Sequence, residues 1–270
     1  MSVRSHLEDT ASKLLLQRPE HGSIVTSLNT LESRLKNDEI YTGVREHFSF
    51  GSWNREVNLP RRADDYSDVD YMIVFHGDTS TNPQTLLDRL KRFVDRKYQS
   101  SDVRQSHPTM VLSLNHIHFE LVPAVRYGNT TYGDFQIPSK DSAYSKWQST
   151  YPNQAAQALT DKNKNNSYLI KPLVRLLKYW NCLADYQTRP FTSFELEQHL
   201  LRQYYFNCNN LKDFFYQAVE GLPIPYNISQ FCKDRITRLK EVVGNAKRYE
   251  IALESEKAEA EIKKVIPVFE

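Results

Sequence analysis

The chain has 270 residues, of which 40% are hydrophobic, so it is long enough to bury a sizeable core as one bilobal unit or two small domains. Its 35 Lys and Arg residues nearly balance 33 Asp and Glu residues, which argues against a protein whose main task is to bind duplex nucleic acid. No apolar run is long enough to span a bilayer, so we expect no membrane association. Three widely spaced cysteines without metal-ligand pairing, Cys182, Cys208 and Cys232, favour a reducing cytoplasm.

The first part of the chain has the pattern of a mixed α/β domain. Apolar residues at helical spacing predict helices over the first forty residues. A mixed-sheet region follows from Val44 to about Val125, with a helix over Pro83–Tyr98. We therefore predict a palm-like domain over residues 1–160, which begins with the N-terminal helices.

The second part of the chain has a helical pattern. Residues 127–166 are rich in Ser, Asn, Asp, Gly and Pro, which predicts an irregular connecting region that serves as a hinge. Beyond it we predict a helix over Lys171–Leu183 and one long helix with an exposed face over Asp234–Lys264. These helices define a predicted C-terminal lobe over residues 161–270.

Two predicted strands carry acidic residues on one face. Because alternate residues of a strand point to opposite faces, Asp68 and Asp70 share a face, while the odd-numbered residues from Val69 to Phe75 are apolar. On a later strand, Ile117, Phe119 and Leu121 alternate with His118 and Glu120. If the two strands are neighbours, all three carboxylates face one cleft.

Three converging carboxylates repel one another unless cations lie between them. Hard oxygen ligands suit Mg²⁺ or Mn²⁺ better than Zn²⁺. We therefore predict a site for two such ions, with Asp68 and Asp70 as ligands of both and Glu120 as a ligand of the catalytic ion. Glu120 is also a candidate for helping to deprotonate an acceptor hydroxyl.

A Gly-Ser pair follows the apolar run Val44–Phe50, where we expect a strand to turn into a short helix. Gly51 lacks a Cβ atom, so backbone can approach a phosphate closely. Ser52 offers a hydroxyl and an N–H group, and the helix N-terminus adds partial positive charge for a triphosphate. A Gly-Ser pair alone says little about function. It becomes informative here because the two aspartates begin sixteen residues after Ser52.

These elements resemble the DNA polymerase beta-type nucleotidyltransferase superfamily. Within it, the chain resembles the branch of the oligoadenylate synthases, animal cyclic GMP-AMP synthase and the bacterial cyclic-oligonucleotide synthases of anti-phage signalling. The resemblance covers about residues 48–201, and further matching segments are Trp147–Pro152, Leu173–Asn181 and Thr192–Glu197. It implies an α/β (α+β) bilobal fold with a mixed-sheet palm and a helical C-terminal lobe.

The predicted helix over Lys171–Leu183 carries a basic stripe, Lys171, Arg175 and Lys178, beside an apolar face. A solvated basic face is the ordinary interpretation of such a stripe. The resemblance implies instead that Lys178 holds the β- and γ-phosphates of a nucleotide and that Ser193 contacts the terminal phosphates. Arg175 is a further nucleotide-binding candidate, and neither its role nor that of Lys171 is settled by the resemblance.

Several other polar and aromatic residues have simpler interpretations. We expect Asp64 and Asp65 to be solvated in a mobile loop over Leu59–Asp65, part of an enlarged segment around Pro60. We expect His116 and His118 to line the cleft or meet solvent rather than bind metal. Aromatic rings that could stack on a base are Tyr127, Tyr132 and Tyr151, and nothing in the sequence selects among them.

The sequence thus predicts a template-independent enzyme that joins ribonucleoside triphosphates into a cyclic or short linear oligonucleotide second messenger and releases pyrophosphate. The resemblance alone implies a role in antiviral defence and a downstream effector that binds the product. Two other interpretations stay open. The first is a transferase that adds a nucleotide to an RNA end or a protein, as toxin-like relatives do. The second is a catalytically silent nucleotide-binding regulator, which three clustered acids argue against.

Overall fold

The computed structural model describes residues 2–106, 108–127, 135–139 and 146–270. The α-helices are α1 (Val3–Lys13), α2 (Arg18–Lys36), α3 (Gly51–Asn54), α4 (Pro83–Lys97), α5 (Pro152–Lys164), α6 (Ile170–Cys182), α7 (Ser193–Arg202), α8 (Leu211–Glu220), α9 (Gln230–Ile251) and α10 (Ser255–Lys263). The strands are β1 (Val44–Phe50), β2 (Asp68–Phe75), β3 (Asp102–Ser106), β4 (Thr109–Ser113), β5 (His118–Arg126), β6 (Phe135–Pro138) and β7 (Trp147–Thr150). Two 3₁₀ turns cover Glu39–Gly43 and Tyr186–Thr188.

The strands of the described residues form one mixed sheet in the order β1-β2-β5-β4-β3, and β6 pairs with β5 and β7. The β2 and β5 strands are parallel, whereas the other pairs are antiparallel. A parallel pair requires a crossover connection, and α4 lies in the chain between β2 and β5. The two acid-bearing strands are therefore direct neighbours, which meets the condition for their three acids to face one cleft.

The chain divides into two compact units, and the sheet belongs to the unit formed by Gln17–Arg61 and Tyr66–Gln157. In this unit α4 packs against β3, β4 and β5. The helix begins at Pro83 after Asn82, whose side chain accepts a hydrogen bond from the Gln84 N–H group at 2.9 Å. Its buried face carries Leu86, Leu87, Leu90, Phe93 and Val94 at helical spacing.

The other unit comprises Met1–Leu16, Arg62–Asp65 and Ala158–Glu270 and is helical. Here α1 packs against α6, α8 and α10. The buried His6 side chain on α1 hydrogen bonds through Nε2 to the Ile266 carbonyl at 2.8 Å, which ties the first helix to the C-terminal segment. The domain boundary at residues 160 and 161 stays a prediction.

Two expectations for the second half of the chain were wrong. The presumed connecting region over residues 127–166 contains β6, β7 and α5, because β6 extends the sheet through its pairing with β5. The presumed single helix over Asp234–Lys264 consists of α9 and α10. It breaks where Leu253 adopts a positive φ of 62°, and α9 is buried along residues such as Ile236 and Leu239. Composition indicated polar surface in both segments but could not indicate which backbone groups find partners.

In the parts of the chain that the structure describes, no helix combines the length and the apolar composition that crossing a bilayer requires.

Candidate functional site

The three predicted acids lie at the beginnings of the two parallel strands. In the register between β2 and β5, Asp68 pairs with His118 and Asp70 pairs with Glu120. Cα-paired residues of neighbouring strands share a face, and alternate residues along β2 share a face as well. Asp68, Asp70 and Glu120 therefore occupy one face of the sheet, and all three are half-buried.

The same face becomes apolar further along both strands. Met72, Val74, Ala124 and Phe135 form a buried cluster there, and Phe48 and Phe50 of β1 pack against it. The other face of β2, with Val69, Tyr71, Ile73 and Phe75, is also buried. The acids thus remain accessible only where the strands begin, because burial covers both faces beyond them.

Gly51 is positioned directly against Asp70. In the antiparallel pairing of β1 with β2, Phe50 lies opposite Asp70, and Gly51 follows it at the start of α3. The φ angle of Gly51 is +72°, and a Cβ atom at this position would lie 1.8 Å from Asp70 Oδ2. Both the backbone conformation and the close approach of the carboxylate therefore require glycine.

Ser52 is half-buried in α3, as the predicted turn from strand to short helix requires. The helix has four residues, and the Val57 N–H group donates to the Ser52 carbonyl at 3.1 Å just beyond it. A single turn contributes little helix dipole. If a phosphate binds here, the hydroxyl and N–H groups of Ser52 therefore contribute more to its binding than the helix dipole does.

The segment after α3 is packed against the rest of its unit as far as Arg61. Leu59 and Asn58 are buried, at 2% and 6% exposure, and the Ser67 hydroxyl donates to the Leu59 carbonyl at 2.6 Å. The Arg61 N–H group donates to Glu20 Oε1 at 3.1 Å. Apolar residues and backbone hydrogen bonds therefore hold this segment against the sheet-bearing unit up to Arg61.

Both histidines near Glu120 have partners in the protein. Arg61 Nη2 donates to His118 Nε2 at 3.1 Å, and burial together with the Arg61 charge holds the pKa of His118 below its usual value. His116 Nε2 hydrogen bonds with the Ser27 hydroxyl at 3.0 Å. These contacts give both rings a local role without a metal.

Across the described residues, no three or more His, Cys, Asp or Glu side chains are gathered into a metal cluster. The three carboxylates where β2 and β5 begin are nevertheless chemically suited to bind a hard divalent cation. Its three carboxylates share a face at adjacent register positions, and Asp70 approaches the Gly51 backbone closely. A cation bound there would offset the repulsion between like charges.

In the helical unit, α6 buries the apolar face that its spacing predicted, including Leu173, Leu177 and Trp180. It also buries two basic residues: Arg175 is 5% exposed and Lys178 is 4% exposed. Lys171 is half-buried. The interpretation of this stripe as a solvated face is therefore wrong for Arg175 and Lys178.

Ser193 is the first residue of α7 and is half-buried. The cap before it is complete: the Thr192 hydroxyl accepts from the Glu195 N–H group at 3.2 Å, and Glu195 Oε2 accepts from the Thr192 N–H group at 3.0 Å. Since Thr192 and Glu195 satisfy the cap, the Ser193 hydroxyl is not needed for it. The matched Thr192–Glu197 segment therefore has a structural part, the cap of α7, that does not depend on the Ser193 hydroxyl.

Asn181 on α6 was not among the predicted site residues, and it is only 1% exposed. Its Nδ2 atom donates to the Phe191 carbonyl at 2.8 Å, and its Oδ1 atom accepts from the Phe191 N–H group at 3.3 Å. These bonds tie the helix of Lys178 to the segment that leads into Ser193. The signal available in the sequence was an Asn inside an apolar helix, where it is disfavoured unless its side chain has a specific partner.

The remaining candidates fare differently. Asp64 is buried, at 7% exposure, and pairs with Arg189, so the expectation that it is solvated was wrong. Asp65 is exposed. Tyr127 and Tyr151 are exposed and carry no specific arrangement that selects either for base stacking, and Tyr132 lies outside the described residues.

Comparison with known proteins gives matches at two levels of sequence similarity. The sequence model of a family described as the SMODS, or Second Messenger Oligonucleotide or Dinucleotide Synthetase, domain matches residues 1–163. A cyclic AMP-AMP-AMP synthase from Acinetobacter sp. (strain ATCC 27244 / 9458) is 26% identical over 207 residues, which are 74% of this chain and 58% of that protein. The chain thus spans somewhat over half the length of this curated relative.

Solved structures resemble the whole chain. CdnC from E. coli MS115-1 with ATP superposes with a TM-score of 0.74 at 14% identity, covering 99% of this chain and 98% of the other. The CD-NTase CdnG of Bradyrhizobium diazoefficiens in complex with GTP gives 0.72 at 13% identity, covering 98% of both chains. Vibrio cholerae DncV cyclic AMP-GMP synthase with its linear intermediate gives 0.61 at 12% identity, covering 82% of this chain and 68% of that one. These likenesses confirm the predicted bilobal α/β fold.

Proposed function

The chain belongs to the Second Messenger Oligonucleotide or Dinucleotide Synthetase family, whose model matches more than half of it, and from this premise we propose its reaction. The protein joins ribonucleoside triphosphates into a cyclic or short linear oligonucleotide second messenger and releases pyrophosphate. The resemblance inferred from the sequence is confirmed by the family match. The substrates and the product are proposals for this chain.

One observation carries the proposal: Asp70 and Glu120 are register partners on neighbouring parallel strands, with Asp68 on the same face and Gly51 against Asp70. A merely acidic sheet surface would not need a glycine at +72° whose missing Cβ leaves room for one of the carboxylates. This arrangement supports catalysis over a silent nucleotide-binding role. It favours chemistry in which carboxylates hold cations beside a polyphosphate.

Asp68, Asp70 and Glu120 are proposed to hold Mg²⁺ or Mn²⁺, with two ions as in the sequence-based prediction. Bound there, such ions supply Lewis-acid stabilisation of the charge that develops on phosphate oxygens. The three carboxylates would hold these ions beside the donor triphosphate. Glu120 is proposed to accept the proton of the attacking ribose hydroxyl, because a carboxylate within reach of that hydroxyl can act as a general base.

Basic and hydroxyl groups are proposed to bind the triphosphate. Ser52 contacts phosphate through its hydroxyl and N–H groups, and Lys178 and Ser193 bind the β- and γ-phosphates. Arg175 adds positive charge on α6. Support comes from the burial of Arg175 and Lys178 and from a helix cap that does not use the Ser193 hydroxyl. Most of the acceleration then comes from positioning and electrostatic stabilisation.

We further propose that the protein works in a reducing cytoplasm in antiviral defence and that an effector binds its product. The three cysteines are free thiols, which suits that compartment. The known structures that resemble the chain include one with ATP and one with GTP, and these nucleotides are the first substrates to test.

The deciding experiment incubates the purified protein with labelled ATP, GTP, CTP and UTP, singly and mixed, with Mg²⁺ or Mn²⁺. Chromatography and mass spectrometry then resolve products that resist phosphatase. The Asp68→Ala/Asp70→Ala variant serves as the control. A phosphatase-resistant oligonucleotide that this variant does not form establishes the proposed reaction.

Product that forms only when RNA or another protein is added, with the nucleotide covalently attached to it, would identify the alternative transferase reaction. Nucleotide binding without any product in either setting would identify a silent regulator. Both outcomes contradict the proposed synthesis from free nucleotides.

A further inference from the structure

Asp64 and Arg189 form a nearly buried ion pair within the helical unit. Arg189 Nη2 lies 2.9 Å from Asp64 Oδ1, and Nη1 lies 3.4 Å from Oδ2. The side chains are 9% and 10% exposed, respectively. A two-pronged contact of this kind fixes orientation as well as distance.

The hydrogen bond to Asp64 favours the charged form of Arg189. Burial alone would lower the pKa of Arg189, but its hydrogen bond to Asp64 raises that pKa above the usual value. The Cys182 thiol of α6 lies beside the pair, and burial together with the Asp64 charge raises the pKa of this thiol to about 12. The thiol is therefore neutral at physiological pH and adds no competing charge. The Arg189 guanidinium also lies over the Tyr186 ring at 5.1 Å.

The two partners occupy matching positions along the chain. Asp64 lies four residues before Asp68, and Arg189 lies four residues before Ser193. The contact lies within the helical unit, where it holds the Arg62–Asp65 segment against the segment that leads into α7. The latter segment ends at Ser193, a residue assigned to the proposed reaction.

The segment before Ser193 depends on side chains for its shape. Between α6 and α7 its regular structure is one 3₁₀ turn, Tyr186–Thr188. Asn181 holds Phe191 through two hydrogen bonds, and Cys232 Sγ donates to the Thr188 carbonyl at 3.3 Å. Arg189 lies between these two anchors in the chain, so its contact with Asp64 completes the fixation of the segment.

The free energy of a buried ion pair distinguishes a positioning role for Asp64 and Arg189 from a stabilising one. Removing two charges from water costs about as much as their attraction returns, so a well-packed apolar replacement of a buried pair is often neutral or stabilising. A net gain in stability is therefore a poor reason for a buried Asp and Arg at these positions. Fixed geometry is what such a pair provides and an apolar contact does not.

We propose that Asp64 and Arg189 are a positioning pair, which fixes within the helical unit the segment that leads into Ser193 and thereby the binding of the nucleotide triphosphate. The proposal rests on the function proposed above. Neither residue needs to touch the substrate. The pair acts through the residues that follow Arg189 in the chain.

The test replaces both charges at once. In the Asp64→Leu/Arg189→Met variant we expect a melting temperature close to that of the wild type. The kcat/KM for product formation should fall by about 10- to 100-fold, the scale on which misplacement of a reacting group by about 1 Å slows a reaction. Each single replacement should lower the melting temperature, because it leaves one buried charge without its partner. The affinity for non-hydrolysable triphosphate analogues, measured by calorimetry, should weaken in the double variant.

A matched control uses another ion pair of the same unit. Lys212 Nζ contacts Glu250 Oε1 at 3.1 Å with both side chains about one quarter exposed, at 24% and 27%. The Lys212→Met/Glu250→Leu variant should keep wild-type kinetics and analogue affinity. A loss of kcat/KM similar to that of the Asp64 and Arg189 double variant would show a general response of the unit and overturn the proposal.

A conservative variant keeps the proposal testable if the double variant does not fold. Arg189→Lys retains the charge but loses the planar two-pronged contact, so we expect a folded protein with raised KM. Wild-type KM and kcat in a folded Arg189→Lys variant, or in a folded double variant, would overturn the proposal. If the wild type itself forms no product, the proposed function fails, and analogue affinities of the same variants decide the positioning role separately.

Discussion

The acidic face of β2 and β5 and the basic helix α6 were both predicted from residue spacing, yet they differ in exposure. Asp68, Asp70 and Glu120 are half-buried at strand beginnings. Arg175 and Lys178 are almost fully buried, at 5% and 4% exposure. Along a strand, the alternation of polar and apolar residues identifies which residues share a face. A stripe of basic residues on a helix, in contrast, has the same spacing whether it faces solvent or the protein interior.

The largest effect is expected at the acidic face. In the Asp68→Asn/Asp70→Asn variant, product formation should fall by at least about 1,000-fold, because neutral amides cannot hold divalent cations beside a triphosphate. The fold should persist, since both side chains are only half-buried. Quenched-flow or steady-state product assays, together with the melting temperature, check this. Asp102→Asn on β3 is the control, and an equal loss there would remove the distinction between the acidic face and ordinary surface acids.

Gly51→Ala tests how closely the backbone and Asp70 must approach. We expect a loss of activity of about 100-fold, because the new methyl group would displace the carboxylate. We also expect destabilisation of at least about 1–2 kcal/mol from the left-handed backbone. Activity assays and urea unfolding measure the two effects.

Gly22→Ala provides the matched comparison. Gly22 lies inside α2 with nothing within 4 Å of a Cβ atom. Alanine there should leave activity unchanged and stabilise the protein by about 0.5–1 kcal/mol through helix propensity. Equal activity losses at the two glycines would contradict a specific role for Gly51.

A smaller effect is expected on the basic helix. Lys178→Met should raise KM for triphosphates by about 10-fold or more while leaving the protein folded, because methionine keeps the buried stem but removes the charge. Substrate titrations of product formation measure KM. Lys171→Met on the same helix is the comparison, and a KM change as large as that of Lys178→Met would show that the whole stripe, rather than its buried end, binds phosphate.

The smallest effect concerns pH and stability in the sheet-bearing unit. Burial holds the pKa of His47 below its usual value, and His47 Nδ1 hydrogen bonds with the Tyr71 hydroxyl at 2.7 Å. The unfolded chain therefore binds more protons than the folded one below about pH 6.5, so stability falls as pH decreases through this window. Between pH 7 and pH 5, the melting temperature of the His47→Gln variant should therefore fall less than that of the wild type. His76→Gln is the exposed control, and identical pH profiles for wild type and His47→Gln would contradict this contribution.

Residue patterns were enough to predict the acid-bearing strands, the Gly-Ser turn and the helix over residues 171–183. Each of these rests on a short-range rule: alternation along β2 and β5, a glycine before a short helix, and apolar spacing on α6. The family resemblance followed from the same residues. These features depend on residues that are close to one another in the chain, so the sequence pattern is enough to predict them.

Which polar groups are buried, and with which partners, could be seen only in the folded protein. Asp64 looked like a loop residue, and only the approach of Arg189, 125 positions later in the chain, makes it part of a buried pair. Asn181 likewise gains its meaning from Phe191, and β6 from its pairing with β5. Burial and hydrogen bonding between distant residues depend on the whole fold, because desolvation is compensated only when a specific partner arrives.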